Sequence, residues 1–130
     1  MNKKFAIGGI EIDNLTFDEA LAQIATLAKQ HRSQYVVTPN VDHIVRLQED
    51  TEFLKIYQGA ALSVVDGMPI VWASHWLGQP LKERVTGADL LPKLCQVAAQ
   101  QGLSVYFLGA APGVAQLAAD RLQAQYQGLK

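Results

Sequence analysis

Hydrophobic and polar residues alternate on both sides of a Gly-Gly pair, over residues 5–7 and 10–12. This alternation around two glycines is typical of a tight β-hairpin. Further along, Thr16 and Glu19 have the spacing of a capping box, and apolar residues follow them at helical intervals. The pattern therefore predicts a small N-terminal hairpin and then a helix that ends near Gln30 or His31.

Three short apolar runs have the length of buried strands, and each is followed by a turn and a helical pattern. The predicted strands cover residues 34–37, 60–65 and 104–108. The predicted helices are one capped by Asn40, a short one over 53–57, and others over 68–77, 89–101 and from Gly113 to about Tyr126. Alternating strands and helices imply right-handed crossovers. We therefore expect an α/β, Rossmann-like fold: a mainly parallel sheet with helices on both faces, preceded by the hairpin.

Composition narrows the class of protein. With 130 residues, 49% hydrophobic and 18% charged, the chain is predicted to form a single folded α/β domain over residues 1–130. A net charge of −1 gives no basic field for nucleic acid, and one cysteine, Cys95, excludes an internal disulfide framework and suits a small core residue. The last predicted helix leads to no strand that would cover the edge of the sheet, so we expect a longer domain.

Polar side chains and glycines follow the carboxyl ends of the predicted strands, where α/β sheets bind ligands. Asp66 ends one strand, and Gly67 after it permits close approach of a ligand or backbone. The Asp66 carboxylate in that position suits a general base. Aspartate is also a preferred helix cap ahead of Met68-Pro69, and the local pattern alone favours the cap.

Two further positions offer polar groups to a ligand. Thr38 and Asn40 flank a proline and could hydrogen-bond a sugar or phosphate, although a turn with Asn40 as the helix cap explains them equally well. Arg84 precedes a predicted helix start, where free amides favour an anion such as phosphate. The alternative is a solvated loop arginine, with Thr86 or Asp89 as the cap.

The turn from Gly109 to Gly113 joins a predicted strand to a helix, like a turn that approaches phosphate. It matches neither the dinucleotide fingerprint nor a P-loop. His31, His43 and His75 do not have metal-ligand spacing, so we assign them to packing or the helix surface and expect no metal.

Four segments occur together and in order, and in combination they resemble the WecG/TagA/CpsF family of bacterial glycosyltransferases (glycosyltransferase family 26). The resemblance covers nearly the whole chain. The segments are Thr38-Pro39-Asn40, Val65-Asp66-Gly67-Met68-Pro69, Arg84-Val85-Thr86-Gly87-Ala88-Asp89, and Phe107 to Gly113.

The resemblance implies an inverting, metal-independent transfer of an N-acetylmannosamine-type or related sugar from a UDP-sugar to a polyprenyl-diphosphate-linked saccharide. Such products feed teichoic acid or exopolysaccharide synthesis in the cell envelope. No cofactor is expected beyond the UDP-sugar as co-substrate. The family implies a cytoplasmic protein, peripheral to the inner face of the plasma membrane, with homo-oligomers left open.

The resemblance also implies roles for individual residues. Asp66 matches the proposed general base, which reverses the preference for a cap. Thr38 and Asn40 match residues beside the sugar, and Arg84 matches a basic residue suited to the diphosphate. Gly67 and the turn from Gly109 to Gly113 would lie against the substrate, the turn beside the nucleotide.

Members of the family normally continue well past 130 residues, so we expect a chain truncated at its C-terminus, with its own activity left open. Two alternatives remain. One is a nucleotide- or dinucleotide-binding domain of another α/β enzyme, although Gly-x-Gly-x-x-Gly is lacking. The other is a noncatalytic assembly module that uses apolar surface around Trp72 and Trp76.

Overall fold

The computed structural model describes residues 3–130, and the chain divides into two compact units. The first reaches to Gly87, and the second covers Ala88–Lys130. Six α-helices, an antiparallel hairpin and a two-stranded parallel sheet lie within the described residues, which confirms the α/β class.

The hairpin consists of β1 (Lys4–Ile7) and β2 (Ile10–Asp13), as predicted. The strands are antiparallel, with Phe5 opposite Ile12. Gly8 and Gly9 have φ values of 60° and 86°, the left-handed region that a two-residue hairpin turn requires. Alternate side chains of the hairpin face the core of the first unit.

The first helix, α1 (Phe17–Ala28), begins at the predicted capping box. The Thr16 amide donates to Glu19 Oε2 at 2.8 Å, and the Glu19 amide donates to Thr16 Oγ1 at 3.2 Å. These two bonds satisfy amides that the helix itself leaves without partners. The helix ends two to three residues before the predicted Gln30 or His31.

The parallel sheet pairs β3 (Val36–Val37) with β4 (Leu62–Ser63), and both strands are shorter than predicted. Between them lie α2 (Val41–Leu47) and α3 (Thr51–Gln58), each capped by a side chain at its N-terminus. After β4 comes α4 (Met68–Trp76), which ends at Leu77. The strand–helix–strand order was predicted from the sequence.

The core of the first unit lies between the hairpin, the parallel sheet and these helices. Its buried members are Phe5, Ile10, Ile12, Leu47, Tyr57, Val65, Ile70, Val71 and Leu81. Asp13, at the end of β2, ties the hairpin to β4 because its Oδ2 accepts a hydrogen bond from the Ser63 amide at 2.9 Å.

The second unit contains α6 (Val114–Gln125) and all but the first residue of α5 (Gly87–Gln101). Both helices were predicted. Cys95 is completely buried, as expected of a small core residue, and burial raises the pKa of its thiol.

The prediction of a strand over residues 104–108 is wrong for the described structure. A strand needs a neighbouring chain to complete its hydrogen bonds, and here the Val105 amide bonds to the carbonyl of Lys130 at 2.9 Å. Tyr106 and Leu108 are 88% and 93% exposed, so this segment packs little of its apolar surface. Within residues 3–130, the parallel sheet therefore has two strands, and the wider Rossmann-like sheet is not confirmed.

Candidate active site

The turn after β3 and the turn after β4 lie side by side. The Asp66 amide donates a hydrogen bond to the carbonyl of Pro39 at 3.0 Å. Two residues earlier in each segment, the Val64 amide donates to the carbonyl of Val37, also at 3.0 Å. The carboxyl ends of two parallel strands therefore bring Asp66 and the Thr38–Asn40 turn together, as the sequence predicted.

Asp66 does not cap α4. The cap position belongs to Gly67, and no side chain makes the capping hydrogen bond. The Asp66 side chain is half-buried, and no donor among residues 3–130 forms a hydrogen bond or ion pair with its carboxylate. Its oxygens are thus uncommitted at the mouth of the strand, where a general base would be needed.

Gly67 lies beside the turn that follows β3. A Cβ built on it would lie 3.8 Å from the Cα of Asn40, an ordinary contact distance. Its φ of −126° and ψ of 131° are extended backbone open to any residue. The backbone therefore does not require glycine here, but a larger side chain would fill space beside Asn40.

Asn40 has the capping role that the sequence allowed. Its Oδ1 accepts a hydrogen bond from the His43 amide at 3.0 Å and so fixes the first turn of α2. That bond uses the oxygen of the side chain and sets the orientation of the amide group. The two N–H donors on Nδ2 are therefore held in a defined direction.

Thr38 lies near Gly87, the last residue of the first unit. A Cβ built on Gly87 would be 3.9 Å from Thr38 Oγ1. The Thr38 hydroxyl, the Asn40 amide and the Asp66 carboxylate thus belong to two adjacent turns of one unit. Together they offer hydrogen-bond donors and acceptors of the kind that bind the hydroxyls of a sugar.

Arg84 belongs to a segment that returns beside the residues that follow β4. The Val85 amide donates to the carbonyl of Val65 at 2.7 Å. Arg84 directly precedes Val85, and Asp66 directly follows Val65. The Arg84 side chain is exposed and has no ion pair within the described residues. An unpaired guanidinium in this position can bind an anion.

Residues 80–83, which lead to Arg84, are fixed to residues 14–19. Asn14 Nδ2 donates to the Pro80 carbonyl at 3.0 Å, and Asn14 Oδ1 accepts from the Lys82 amide at 2.7 Å. Lys82 Nζ lies 3.0 Å from both carboxylate oxygens of Glu19. The Thr16 amide, followed by Lys82, lowers the pKa of the Glu19 carboxyl below its usual 4.5.

The Phe17 amide adds a further bond to Glu83 Oε2 at 2.9 Å. This set of bonds joins residues 63 to 68 positions apart in the chain. The pattern around Arg84 allowed a solvated loop arginine but indicated none of these contacts. No local pattern indicates a pairing between such distant residues.

Of the histidines, His43 has the packing role that was predicted. Its Nδ1 lies 2.8 Å from the Tyr57 hydroxyl, and its ring contacts the edges of Phe53 and Tyr57. Burial raises the pKa of Tyr57. In the part of the chain that the structure describes, no three His, Cys, Asp or Glu side chains gather as potential metal ligands.

The turn from Gly109 to Gly113, in the second unit, has the left-handed backbone conformation that glycine favours. Gly109, Ala110 and Gly113 have φ values of 114°, 64° and 85°. Gly113 is the N-cap of α6, with no side-chain cap bond. The Val114 amide donates to the Ala111 carbonyl at 3.1 Å, and no side chain caps the rest of this helix N-terminus, a kind of site that favours anions.

A separate polar cleft of about 300 Å³ is lined by residues of the hairpin, α3 and β4, and Asp66 is not among its lining residues. Lys4 and Glu11 line it as an ion pair at 3.3 Å, and Asp13 holds the Ser63 amide. Ser63 Oγ is buried without a partner among the described residues. Because the charged groups of this cleft are committed to one another, the open carboxylate of Asp66 is the better candidate for chemistry.

Residues 5–130 match the model of a family of glycosyltransferases. The chain belongs to the glycosyl transferase WecG/TagA/CpsF family. The family resemblance seen in the sequence is therefore confirmed.

Curated relatives in Staphylococcus aureus strains NCTC 8325 / PS 47, COL and MRSA252 are each 30% identical to the chain over 128 residues. Each is named N-acetylglucosaminyldiphosphoundecaprenol N-acetyl-beta-D-mannosaminyltransferase. The match covers 97% of this chain and 50% of each relative. The chain thus spans about half the length of the curated relatives it matches. Within residues 3–130, no helix combines the length and apolar character needed to cross a bilayer.

Proposed function

We propose that this protein transfers an N-acetylmannosamine-type or related sugar from a UDP-sugar to a polyprenyl-diphosphate-linked saccharide of the cell envelope. The observation that carries this proposal is the uncommitted Asp66 carboxylate beside the Thr38–Asn40 turn, in a chain of this family. The relatives' names supply the class of sugar and of lipid-linked acceptor. The transfer inverts the anomeric centre and uses no metal.

The proposed architecture is the N-terminal part of a Rossmann-like domain. The parallel pair β3 and β4, joined through α2 and α3, supports it because such crossovers build doubly wound sheets. We place the protein in the cytoplasm, peripheral to the inner face of the plasma membrane, where a lipid-linked acceptor would be found.

In the proposed reaction, the Asp66 carboxylate takes the proton from the acceptor hydroxyl. The hydroxyl oxygen attacks the anomeric carbon from the side opposite the nucleotide. A new glycosidic C–O bond forms while the bond from the anomeric carbon to the diphosphate oxygen breaks, and UDP leaves with the bonding electron pair. A general base of this kind contributes about 10²–10⁴-fold to the rate.

The neighbouring residues bind and orient the substrates. Because Oδ1 of Asn40 is held by the His43 amide, its N–H donors point in a fixed direction for the sugar hydroxyls. The Thr38 hydroxyl supplies a second polar contact on the same turn. Arg84 stabilises the negative charge that develops on the leaving diphosphate.

Gly67 and the turn from Gly109 to Gly113 are each proposed to contact the donor. Gly67 leaves room for the sugar beside Asp66. The turn from Gly109 to Gly113 is proposed to lie against the nucleotide, because it leads into the N-terminus of α6 and helix N-termini favour phosphate groups.

Ligand-observed NMR of the 130-residue chain with UDP, UDP-sugars, ADP, GDP and NAD tests the donor site. We expect a response to the uridine compounds that Arg84→Ala weakens, since the guanidinium is unpaired in the described structure. Arg32→Ala, which removes another exposed arginine, is the matched control and should leave the response unchanged. A preference for NAD would instead support the dinucleotide-binding alternative, and silence across the panel would argue against a donor site in these residues.

A further inference from the structure

Helix α4 carries exposed apolar side chains that the proposed chemistry does not use. Its sequence, MPIVWASHW, contains no Asp, Glu, Lys or Arg. Met68, Trp72 and Trp76 are 37%, 56% and 89% exposed, and Leu77 at the end of the helix is 65% exposed. We call these four residues the α4 stripe.

The stripe is one side of a helix whose other side is already packed. Met68, Trp72 and Trp76 follow at intervals of four residues, so they lie along one face. Ile70, Val71 and Ser74 are buried on the other side. A helix that is apolar all round is normally covered on both sides, which indicates a partner for the stripe.

The face of α4 is held rigidly in place. Ser74 Oγ donates to the Val71 carbonyl at 2.6 Å and accepts from the Leu81 amide at 2.9 Å. Leu81 is itself part of the buried core. The exposed tryptophans therefore project from a fixed element, and their position does not depend on a loop.

The stripe starts at the candidate active site. Met68 is two residues after Asp66, and Trp76 lies about 12 Å further along the helix axis at 1.5 Å per residue. An acceptor sugar on a membrane lipid must reach Asp66 from the bilayer surface. A bilayer contact along α4 would place the carboxylate at that level.

We propose that the α4 stripe binds the interfacial region of a lipid bilayer and sets Asp66 at the membrane surface. The choice of a lipid partner rests on the proposed function, whose acceptor is attached to a membrane lipid. The chemistry fits, because tryptophan prefers the headgroup level of membranes and apolar faces of interfacial helices insert there. Charged residues, which oppose such insertion, are lacking on α4.

A second copy of the chain fits the stripe less well. From the exposed fractions, the four side chains offer on the order of 500 Å² of surface. A stable protein–protein interface buries about 800 Å² on each partner. A bilayer sets no such minimum area and accepts a narrow apolar stripe.

The chain contains a direct probe, because both of its tryptophans belong to the stripe. The 130-residue chain is mixed with vesicles of phosphatidylethanolamine and phosphatidylglycerol that contain no polyprenyl lipid. We expect tryptophan emission to shift to shorter wavelength, brominated lipids to quench it, and the protein to float with the vesicles. An unchanged spectrum with no flotation would overturn the proposal.

Single substitutions locate the contact. Trp76→Ser should weaken vesicle binding at least about tenfold, the loss expected when one large apolar side chain is no longer buried, while Trp72 remains as the reporter. Leu117→Ser on α6 is the control, since it removes a side chain that is 60% exposed elsewhere. Equal weakening by both variants would overturn the assignment to α4.

The experiment also distinguishes bilayer binding from self-association and from sugar transfer. A shift of emission that grows with protein concentration without vesicles, together with a larger mass in light scattering, would mean that a second copy covers the stripe and would overturn the bilayer proposal. Because the vesicles hold neither donor nor acceptor, their binding is independent of sugar transfer. Vesicle binding without any response to UDP would count against the proposed function while supporting the membrane contact.

Discussion

The amide of Asp66 donates a hydrogen bond to the carbonyl oxygen of Pro39 at 3.0 Å. This bond fixes the spacing between the turn that carries the candidate base and the turn that carries Thr38 and Asn40. Both partners are backbone groups, so the bond leaves the Asp66 carboxylate free. The relationship between the two turns therefore survives substitution of the side chains, which makes mutational tests of this site interpretable.

Replacing Asp66 by asparagine tests its role as base. Asp66→Asn keeps the size of the side chain but cannot accept a proton, so we expect sugar transfer by the intact protein to fall about 10²–10⁴-fold. The thermal midpoint and the response to UDP should be unchanged, because the carboxylate has no hydrogen-bond partner among the described residues. Asp42→Asn, on the exposed first turn of α2, is the control. Near-normal transfer by Asp66→Asn would rule out the base.

The contacts of Glu19 predict a pH dependence of stability. Because the Thr16 amide and Lys82 lower its folded pKa, Glu19 stabilises the fold at pH values above its usual 4.5. That contribution is lost as pH falls below 4.5 and through the folded pKa. Glu19→Gln cannot titrate, so its free energy of unfolding should fall below that of the wild type at neutral pH and converge with it in acid.

Urea unfolding at a series of pH values measures this difference. Glu49→Gln, which removes an exposed glutamate, should follow the wild-type pH curve. A constant gap between Glu19→Gln and wild type at every pH would show that the carboxylate does not titrate differently in the folded state.

Asp13 is predicted to matter for stability because it accepts the Ser63 amide. Asp13→Ala leaves a buried N–H without an acceptor and should lower the free energy of unfolding by about 1–3 kcal/mol. Asp13→Asn keeps an oxygen acceptor and should lose less. Glu11→Ala removes only an exposed ion pair to Lys4, so its cost should stay within about 1 kcal/mol. Chemical denaturation compares the three, and equal losses would contradict the role of the Ser63 contact.

Local features of the fold were predictable from the sequence because neighbouring residues determine them. The capping box at Thr16 and Glu19, the glycine turn of the hairpin and the Asn40 cap each depend on groups within four residues. The pairing of Asp66 with the turn after β3 also followed, because parallel strands bring their carboxyl ends to one edge.

Features that depend on distant partners were not predictable. The apolar run at 104–108 has the composition of a strand, but no neighbouring strand pairs with it in the described structure. The bonds of Asn14 to Pro80 and Lys82 connect residues far apart in the chain, so no spacing indicates them. That Asp66 does not cap α4 is seen only in the structure, where Gly67 occupies the cap position.

The left-handed backbone of Gly113, in the turn that precedes α6, predicts the effect of an alanine substitution on stability. Gly113 has φ of 85°, so Gly113→Ala should cost about 1–2 kcal/mol of stability from left-handed strain. Gly67 has extended backbone with only ordinary contacts to an added Cβ, so Gly67→Ala should change stability by less than about 0.5 kcal/mol. Thermal unfolding of the pair checks this, and equal effects would show that left-handed strain does not set the cost.

Asn40 has both a capping role and a proposed binding role, and two substitutions separate them. Asn40→Ala removes the acceptor for the His43 amide and should cost about 1 kcal/mol of stability. Asn40→Asp keeps that acceptor but loses both N–H donors, so we expect near wild-type stability together with weakened sugar transfer. Asp50→Ala removes the equivalent cap of α3, and it should lower stability without the same loss of transfer. If Asn40→Asp transferred sugar normally, Asn40 would be a cap alone, because only its donors are available to a substrate.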